Sequence, residues 1–351
     1  MRLSILVVSR TANLLNRMLK SLASATNLDG IGVEILCSWN GSQEEELAIE
    51  NTSGYELLIA QKDRYHFASN MNSLAEKANG ELLLIINDDV ILDSGSIDGA
   101  IQCLESSPDI GLVGARLRDG EGLLTHAGIL FDSRHSPYHQ LDRQVAAEHH
   151  LVLGTPRPVP AVTGALMLIR RDHFASLRFG TDYCVCGEDV GLCLDLRLKL
   201  GLEVRYCPDF SGRHDSESTR ATIPEQQGNS EDLSRMRQLH REFLEAANKP
   251  QLRQELEASI AEAEALRSLQ THRQNEGNEL SEHLASLKEL LKELETMRQG
   301  SSNKDKNEIS SAELKSLKQE LRHWRDNSHA LQLERLQLEQ RLQHDQQVES
   351  W

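Results

Sequence analysis

The segment ELLLIINDDV carries a run of apolar residues straight into Asn87, Asp88 and Asp89. In an open α/β sheet, ligands collect at the carboxyl ends of strands, and hard divalent cations that bridge diphosphate oxygens take carboxylate ligands at such a point. The plainer reading of the same pair is a turn or a helix N-cap. A second pair, Glu188 and Asp189, precedes a stretch in which Leu192, Leu196 and Leu200 share one helical face. Carboxylates at a helix N-terminus can be caps, or one of them can be a general base for a hydroxyl that loses its proton as it attacks an anomeric carbon. A third cluster, GRHDSESTR, offers His214 as an imidazole metal ligand and Arg220 as a phosphate partner.

Positioning these groups requires strands and helices in alternation. Leu3 to Val8, Val33 to Cys37, Leu57 to Ala60 and Leu82 to Ile86 are strand-sized apolar runs. Between the first two, Leu14, Leu15, Met18, Leu19 and Leu22 fall at helical spacing within Asn13 to Ser24, and Asn70 to Ala78 predicts another helix. The fold class is therefore α/β, and all three polar clusters follow strand-like runs or open a helix.

The 351 residues suggest two or three units at roughly 150 residues per domain. A formal net charge of -16 argues against a nonspecific grip on nucleic-acid phosphate, so no nucleic-acid partner is expected. The N-terminal apolar run is too short for a signal peptide and no segment reads as a membrane span. Six cysteines lack framework spacing, and Cys184 and Cys186 have no second Cys or His pair beside them, so reduced thiols used in packing are expected. These features predict a cytoplasmic protein, or one peripheral at the inner membrane face.

The order of five segments resembles inverting glycosyltransferases of family 2, in particular the branch with bacterial rhamnosyl- and O-antigen-type transferases. They are RYHFASNMNSLAEKANGELLLIINDDVIL, VGARLRDGEGLLTHAGILFD, VTGALMLIRRDHF, GEDVGLCLDLRLKLGLEVRYCP and HDSESTR. The resemblance implies the GT-A fold, a Rossmann-like mixed sheet flanked by helices, over roughly residues 2 to 220. It implies that Asp89 ligates Mn²⁺ or Mg²⁺ with help from His214, that Asp88 lies near the sugar or ribose, and that Arg220 closes the diphosphate motif. It further implies Asp189 as the base with Glu188 supporting it, Gly164 and Ala165 in a turn on the acceptor side, and Ser9 and Asn40 around the nucleotide. The implied partners are a nucleotide-sugar donor and a glycan or lipid-linked glycan acceptor, as for a growing surface polysaccharide.

Four positions depart from that pattern. Asn87 stands where many relatives have the first Asp, Trp39 stands where an Asp often precedes Asn-Gly-Ser, the first strand ends in VVSRT, and Gly191 replaces a common acid. Two other readings stay open: a catalytically inactive, glycosyltransferase-like coiled-coil scaffold, and a nucleotidyltransferase, which uses a similar fold and acidic motif but lacks the Glu-Asp-Val and His segments.

Beyond about Thr222, glycine and proline thin out while Glu, Gln, Lys, Arg and Leu dominate. Taken with the resemblance, this change predicts a glycosyltransferase domain over 1–225, a helical linker over 226–250, coiled-coil helices over 251–298 and 308–348, and a polar break over 299–307. Leu280, Leu284, Leu287, Leu291 and Leu294 form one heptad seam, and Leu314, Leu317, Leu321, Trp324, Ser328, Leu331, Arg335, Leu338 and Leu342 form another. Such seams fit a hairpin, a homo-oligomer or a partner protein.

Overall fold

The computed structural model describes residues 1–148, 153–214 and 230–270, with isolated positions at 289, 292 and 319. Both heptad seams and Arg220 lie outside the described residues.

Strands β1 (Leu3–Ser9), β2 (Val33–Trp39), β3 (Glu56–Gln61) and β4 (Leu82–Asn87) form a parallel block in the order β4-β1-β2-β3. The first five residues of β4 are buried, as a central strand covered on both faces requires. Helix α1 (Ala12–Ala25) covers one face with Leu15, Met18, Leu19 and Leu22, while Leu14 is half-buried. On the other face lies α3 (Phe67–Lys77), which starts three residues earlier than its apolar spacing suggests. His66 sets that start, its Nδ1 accepting from the Ser69 amide at 3.2 Å. Helix α2 (Gln43–Leu47) is a short turn after β2.

The sheet then turns antiparallel. β11 (Leu166–Arg170) lies between β4 and β6 (Ile110–Arg118), antiparallel to both, and β12 (Glu203–His214) runs parallel to β6. The mixed strand directions bring the end of β4, the start of β11 and the end of β12 to one edge. Short β5 (Val90–Leu92) folds back onto β12, with His214 opposite Val90. β7 (Leu124–His126) borders β6, β8 (Ile129–Phe131) and β9 (Pro137–His139) form a hairpin, and β10 (Arg157–Pro158) borders β12. Helices α4 (Ser96–Glu105), α5 (Arg171–Leu177) and α6 (Glu188–Asp195), the last running into a π turn over Leu196–Leu200, complete the α/β body.

The packed body extends past the compositional change near Thr222. Helices α7 (Ser230–Ala246) and α8 (Lys249–Gln270) contribute Met236, Phe243, Leu244, Leu252, Leu256 and Ile260 to the same apolar core as Phe131, Tyr183 and Leu192. Arg197, wholly buried in the π turn, donates to Glu255 Oε1 at 2.6 Å and to the Gln251 carbonyl at 3.1 Å, with its guanidinium 4.4 Å above Phe243. The segment expected to be linker and the start of a coiled coil is thus, through Leu266, part of the domain's core. Its polar composition hid this because only one face of each helix carries apolar side chains. Among the described residues, no helix is long and apolar enough to cross a membrane.

Candidate functional site

Strand register gathers the site at one edge of the sheet. Ser9 is paired with Trp39, and Val8 with Asn87, so the ends of β1, β2 and β4 are level. The Asn40 amide donates to the Ser9 carbonyl at 2.7 Å. Ser9 Oγ–H donates to Asp88 Oδ2 at 2.7 Å. Burial pushes the Asp88 carboxyl up to about 6; the Ser9 hydrogen bond opposes this and the neighbouring Asp89 charge adds to it.

The Asp89 carboxylate points toward β12. Because His214 sits opposite Val90 in the β5–β12 ladder, its Nε2 comes within 3.2 Å of Asp89 Oδ1. That oxygen is buried and accepts no hydrogen bond, a state that is costly unless another ligand completes it. Among the described residues, no group of three His, Cys, Asp or Glu converges as a self-sufficient metal cage. A carboxylate and an imidazole with substrate phosphates and water filling the remaining positions is nonetheless a set that a hard divalent cation accepts. Asp89 and His214 therefore fit Mn²⁺ or Mg²⁺. Behind them, Arg118 grips Asp93 with two bonds of 2.6 Å, and Ser211 Oγ–H donates to the same carboxylate at 2.6 Å, tying β5 to β6 and β12.

The second half of the site comes from the antiparallel strand. The Asn87 amide donates to the Ala165 carbonyl at 2.9 Å, which places the Thr163-Gly164-Ala165 turn beside the end of β4. Gly164 N–H donates to Asp189 Oδ2 at 2.8 Å, and Val190 N–H donates to Asp189 Oδ1 at 2.8 Å. Asp189 is half-buried and Glu188 beside it is buried. Their helix is preceded by Gly187, whose φ of 117° would strain any other L residue; a Cβ there would also lie 2.7 Å from Tyr183 Cε1 and 2.8 Å from Met236 Sδ. From α7, the buried Asp232 carboxylate accepts from the amides of Cys184, Val185 and Cys186 at 3.1, 2.7 and 3.2 Å. The loop that delivers Asp189 is thus held by a helix about forty residues farther along the chain.

A cleft of about 570 Å³ opens beyond β2 and β3, lined in part by Trp39, Asn40, Lys62, Asp63 and Arg64. Trp39 is 2% exposed and donates from Nε1 to the Ser42 carbonyl at 3.4 Å, so the residue replacing an acid here packs as a wall of the cleft. Asn40 Nδ2 donates to the Asp63 carbonyl, while Asn40 Oδ1 is buried without a partner. A Cβ at Gly191 would lie 3.3 Å from the Tyr183 hydroxyl, so that phenol occupies the space beside the missing acid. Neither Cys184 nor Cys186 is joined in a disulfide.

Of the sequence-derived candidates, the structure groups Ser9, Asn40, Asp88, Asp89 and His214 with Gly164, Ala165, Glu188 and Asp189. Sequence reasoning missed His126 and His139. His126 is 1% exposed, accepts from the Thr163 amide on Nε2 at 3.3 Å and faces His139 across a 3.0 Å Nδ1···Nδ1 contact. The signal was present in LTHAG, a polar His closing a short strand, but its partner lies thirteen residues away on the second arm of the next hairpin.

Residues 2–253 match the sequence profile of a family described as "Glycosyltransferase like family 2". The chain belongs to this family. The glycosyltransferase-family chain is similar to the O-antigen biosynthesis protein RfbC of Myxococcus xanthus, with 31% identity over 223 residues covering 61% of this chain and 17% of that protein. It is also similar to the uncharacterized protein y4gI of Sinorhizobium fredii (strain NBRC 101917 / NGR234), with 24% identity over 206 residues covering 55% of this chain and 22% of the other. The chain therefore spans 17% and 22%, about a fifth, of the length of these curated relatives. Among solved structures, S. aureus TarS 1-349 in complex with UDP-GlcNAc superimposes with a TM-score of 0.50 at 13% identity, over 79% of this chain and 75% of that one. The fold is the GT-A fold that the family resemblance implied.

Proposed function

We propose that this domain transfers a sugar from a nucleoside-diphosphate sugar to an acceptor hydroxyl, with inversion at the anomeric carbon. The observation that carries the reading is the placement, at one sheet edge, of the incompletely satisfied Asp89–His214 pair and of Asp189 anchored to the Gly164 amide. Ser9, Asn40 and Asp88 face the nucleotide and ribose, and the cleft beside Trp39 receives the base. Asp89 and His214 hold Mn²⁺ or Mg²⁺, which when bound neutralises charge on the departing diphosphate. The Gly164 and Val190 amides fix the orientation of the Asp189 carboxylate while leaving lone pairs on both oxygens for the acceptor O–H.

In the reaction, the acceptor oxygen bonds to the anomeric carbon as the bond from that carbon to the diphosphate oxygen breaks. The acceptor proton passes to Asp189, and the nucleoside diphosphate leaves with the bonding electron pair. A positioned base contributes on the order of 10² to 10⁴ in rate. Glu188, buried beside Asp189, orients the acceptor. Arg220 pairs with the diphosphate, and the acceptor is a glycan or lipid-linked glycan, in keeping with the O-antigen relative. The heptad seams join the domain to a second copy or a partner protein, and the protein works in the cytoplasm or at the inner membrane face.

Incubation with a panel of nucleotide sugars, headed by UDP-GlcNAc because TarS is solved with it, tests the activity by mass spectrometry. Metal-dependent release of nucleoside diphosphate supports the transferase. Release of nucleoside monophosphate and sugar phosphate would instead identify a nucleotidyl enzyme, and no cleavage of any donor would identify an inactive scaffold.

A further inference from the structure

The His126–His139 pair lies beside the site but has no part in the chemistry described so far. Its hydrogen bonding fixes where the protons are. A neutral imidazole carries one N–H, so one nitrogen donates and the other accepts. Burial pushes His126 well below the usual histidine range, with His139, His214 and Arg157 acting in the same direction, so the ring is neutral. The Thr163 amide donates to its Nε2, which leaves the proton on Nδ1. That Nδ1–H faces His139 Nδ1 at 3.0 Å. His139 Nδ1 must accept, and its own proton must sit on Nε2.

The Thr125 carbonyl lies 3.1 Å from His139 Nδ1 and taken alone would favour a proton there. The Thr163 amide decides against that assignment, because it would leave His126 with two accepting nitrogens and no proton. His139 itself is exposed, and its ring packs edge-on against His126 with centroids 4.9 Å apart. Desolvation pushes it down; Asp189 is the charge that acts on it most and opposes this, followed by Asp142, while His214 adds to the lowering. Among the described residues, none bonds its Nε2.

The chain of contacts leads back to the proposed base. Thr163 N–H holds His126, and the next amide, Gly164 N–H, holds Asp189. One turn therefore orients both a carboxylate that accepts a proton and, through His126, an imidazole whose outward nitrogen can only donate. We infer that His139 binds the acceptor glycan, its Nε2–H donating to an acceptor oxygen next to the hydroxyl presented to Asp189, and that His126 is a positioning residue which fixes this tautomer. A donor at that point receives a lone pair from a sugar hydroxyl or ring oxygen and leaves the O–H of the attacking group free for the carboxylate. This inference rests on the transferase reading for the identity of the ligand, but the tautomer assignment does not.

Long-range ¹H–¹⁵N spectra of the full chain labelled in histidine read both rings directly. His126 is expected as the Nδ1–H tautomer and His139 as the Nε2–H tautomer; the reverse at either ring overturns the relay whatever the enzyme transfers. For the ligand, wild-type protein holding Mn²⁺ and either UDP or GDP is titrated with octyl glycosides of common hexoses and deoxyhexoses. His139→Phe is expected to weaken glycoside binding at least about tenfold with nucleotide affinity unchanged, and His139→Gln, which keeps an N–H donor at similar reach, to restore it to within about threefold. Equal glycoside affinity in His139→Phe, a parallel loss of nucleotide affinity, no rescue by Gln, or no glycoside bound by wild type would each overturn the acceptor role. Failure of the transferase reading appears separately, as absence of donor cleavage in the wild type.

Discussion

The proposed donor half and the proposed acceptor half of the site are built by different means. Ser9, Asn40, Asp88 and Asp89 stand at the ends of parallel strands, held level by the β1–β2 and β1–β4 registers. Asp189 stands on a loop-and-helix segment that the sheet does not fix. Its position depends on Gly164 from β11's approach, on Gly187's left-handed conformation and on Asp232 from α7. Helix α8 supports this second half in turn through the buried Arg197–Glu255 pair. Damage to the first half should thus remain local, whereas damage to the second can begin far from the chemistry.

The largest effect expected in this comparison is Asp189→Asn, which should keep nucleotide binding and lose transfer by about 10² to 10⁴ in rate. Glu188→Gln should lose less; a larger loss there would move the base to Glu188 while leaving the site in place. Asp89→Ala should show the opposite split, with metal-dependent nucleoside-diphosphate affinity falling by at least about a hundredfold in calorimetric titration with Mn²⁺, as expected when several kcal/mol of charge stabilisation are removed. Unchanged affinity would remove Asp89 from the metal site. Glu255→Ala leaves Arg197 buried without its carboxylate and should lower stability by about 3–5 kcal/mol in urea unfolding. Well below the unfolding midpoint it should still bind nucleotide, and selective loss of donor affinity would break the proposed separation. The smallest effect is that of Gly187→Ala, which places a Cβ at positive φ against Tyr183 and Met236 and should cost about 1–3 kcal/mol in the same unfolding measurement.

The same division explains what was legible in the sequence. The runs Leu3 to Val8 and Leu82 to Ile86 specify parallel strands because a strand buried on both faces is nearly continuously apolar, the buried Ser4 being the one polar residue in these two runs. Asp88 and Asp89 stand out because they interrupt such a run. Glu188 and Asp189 were visible as a pair ahead of a helix, but what holds them is nonlocal. Asp189 meets Gly164 across 25 positions, and the loop before it meets Asp232 across 47 at Val185, separations that no local pattern encodes. Helices α7 and α8 escaped assignment to the domain for a related reason. Ser230 to Gln270 is rich in charge, and the apolar face of Met236, Phe243, Leu252 and Leu256 is sparse enough to read as part of a solvated helical tail. His240, wholly buried and stacked on Phe131 at 3.6 Å, gave no signal because a lone histidine in a polar helix is ordinarily exposed.

Truncation distinguishes the two ideas of where the domain ends. A chain ending near Thr222 lacks Phe243, Leu244, Leu252 and Leu256 from its core and should aggregate, while one ending just after Gln270 should remain soluble and bind nucleotide. Light scattering and calorimetry on both chains measure this. A soluble, nucleotide-binding 1–222 fragment would show that α7 and α8 are accessory.

The most direct measurement of the central claim is the anomeric configuration of the first product, followed by ¹H NMR as a nucleoside-diphosphate α-sugar is consumed in the presence of Mn²⁺. Single displacement with Asp189 as base predicts a β-configured product at the earliest times, formed only by protein with Asp89 and Asp189 intact. An α-configured first product, or equal turnover by Asp189→Asn, would contradict it.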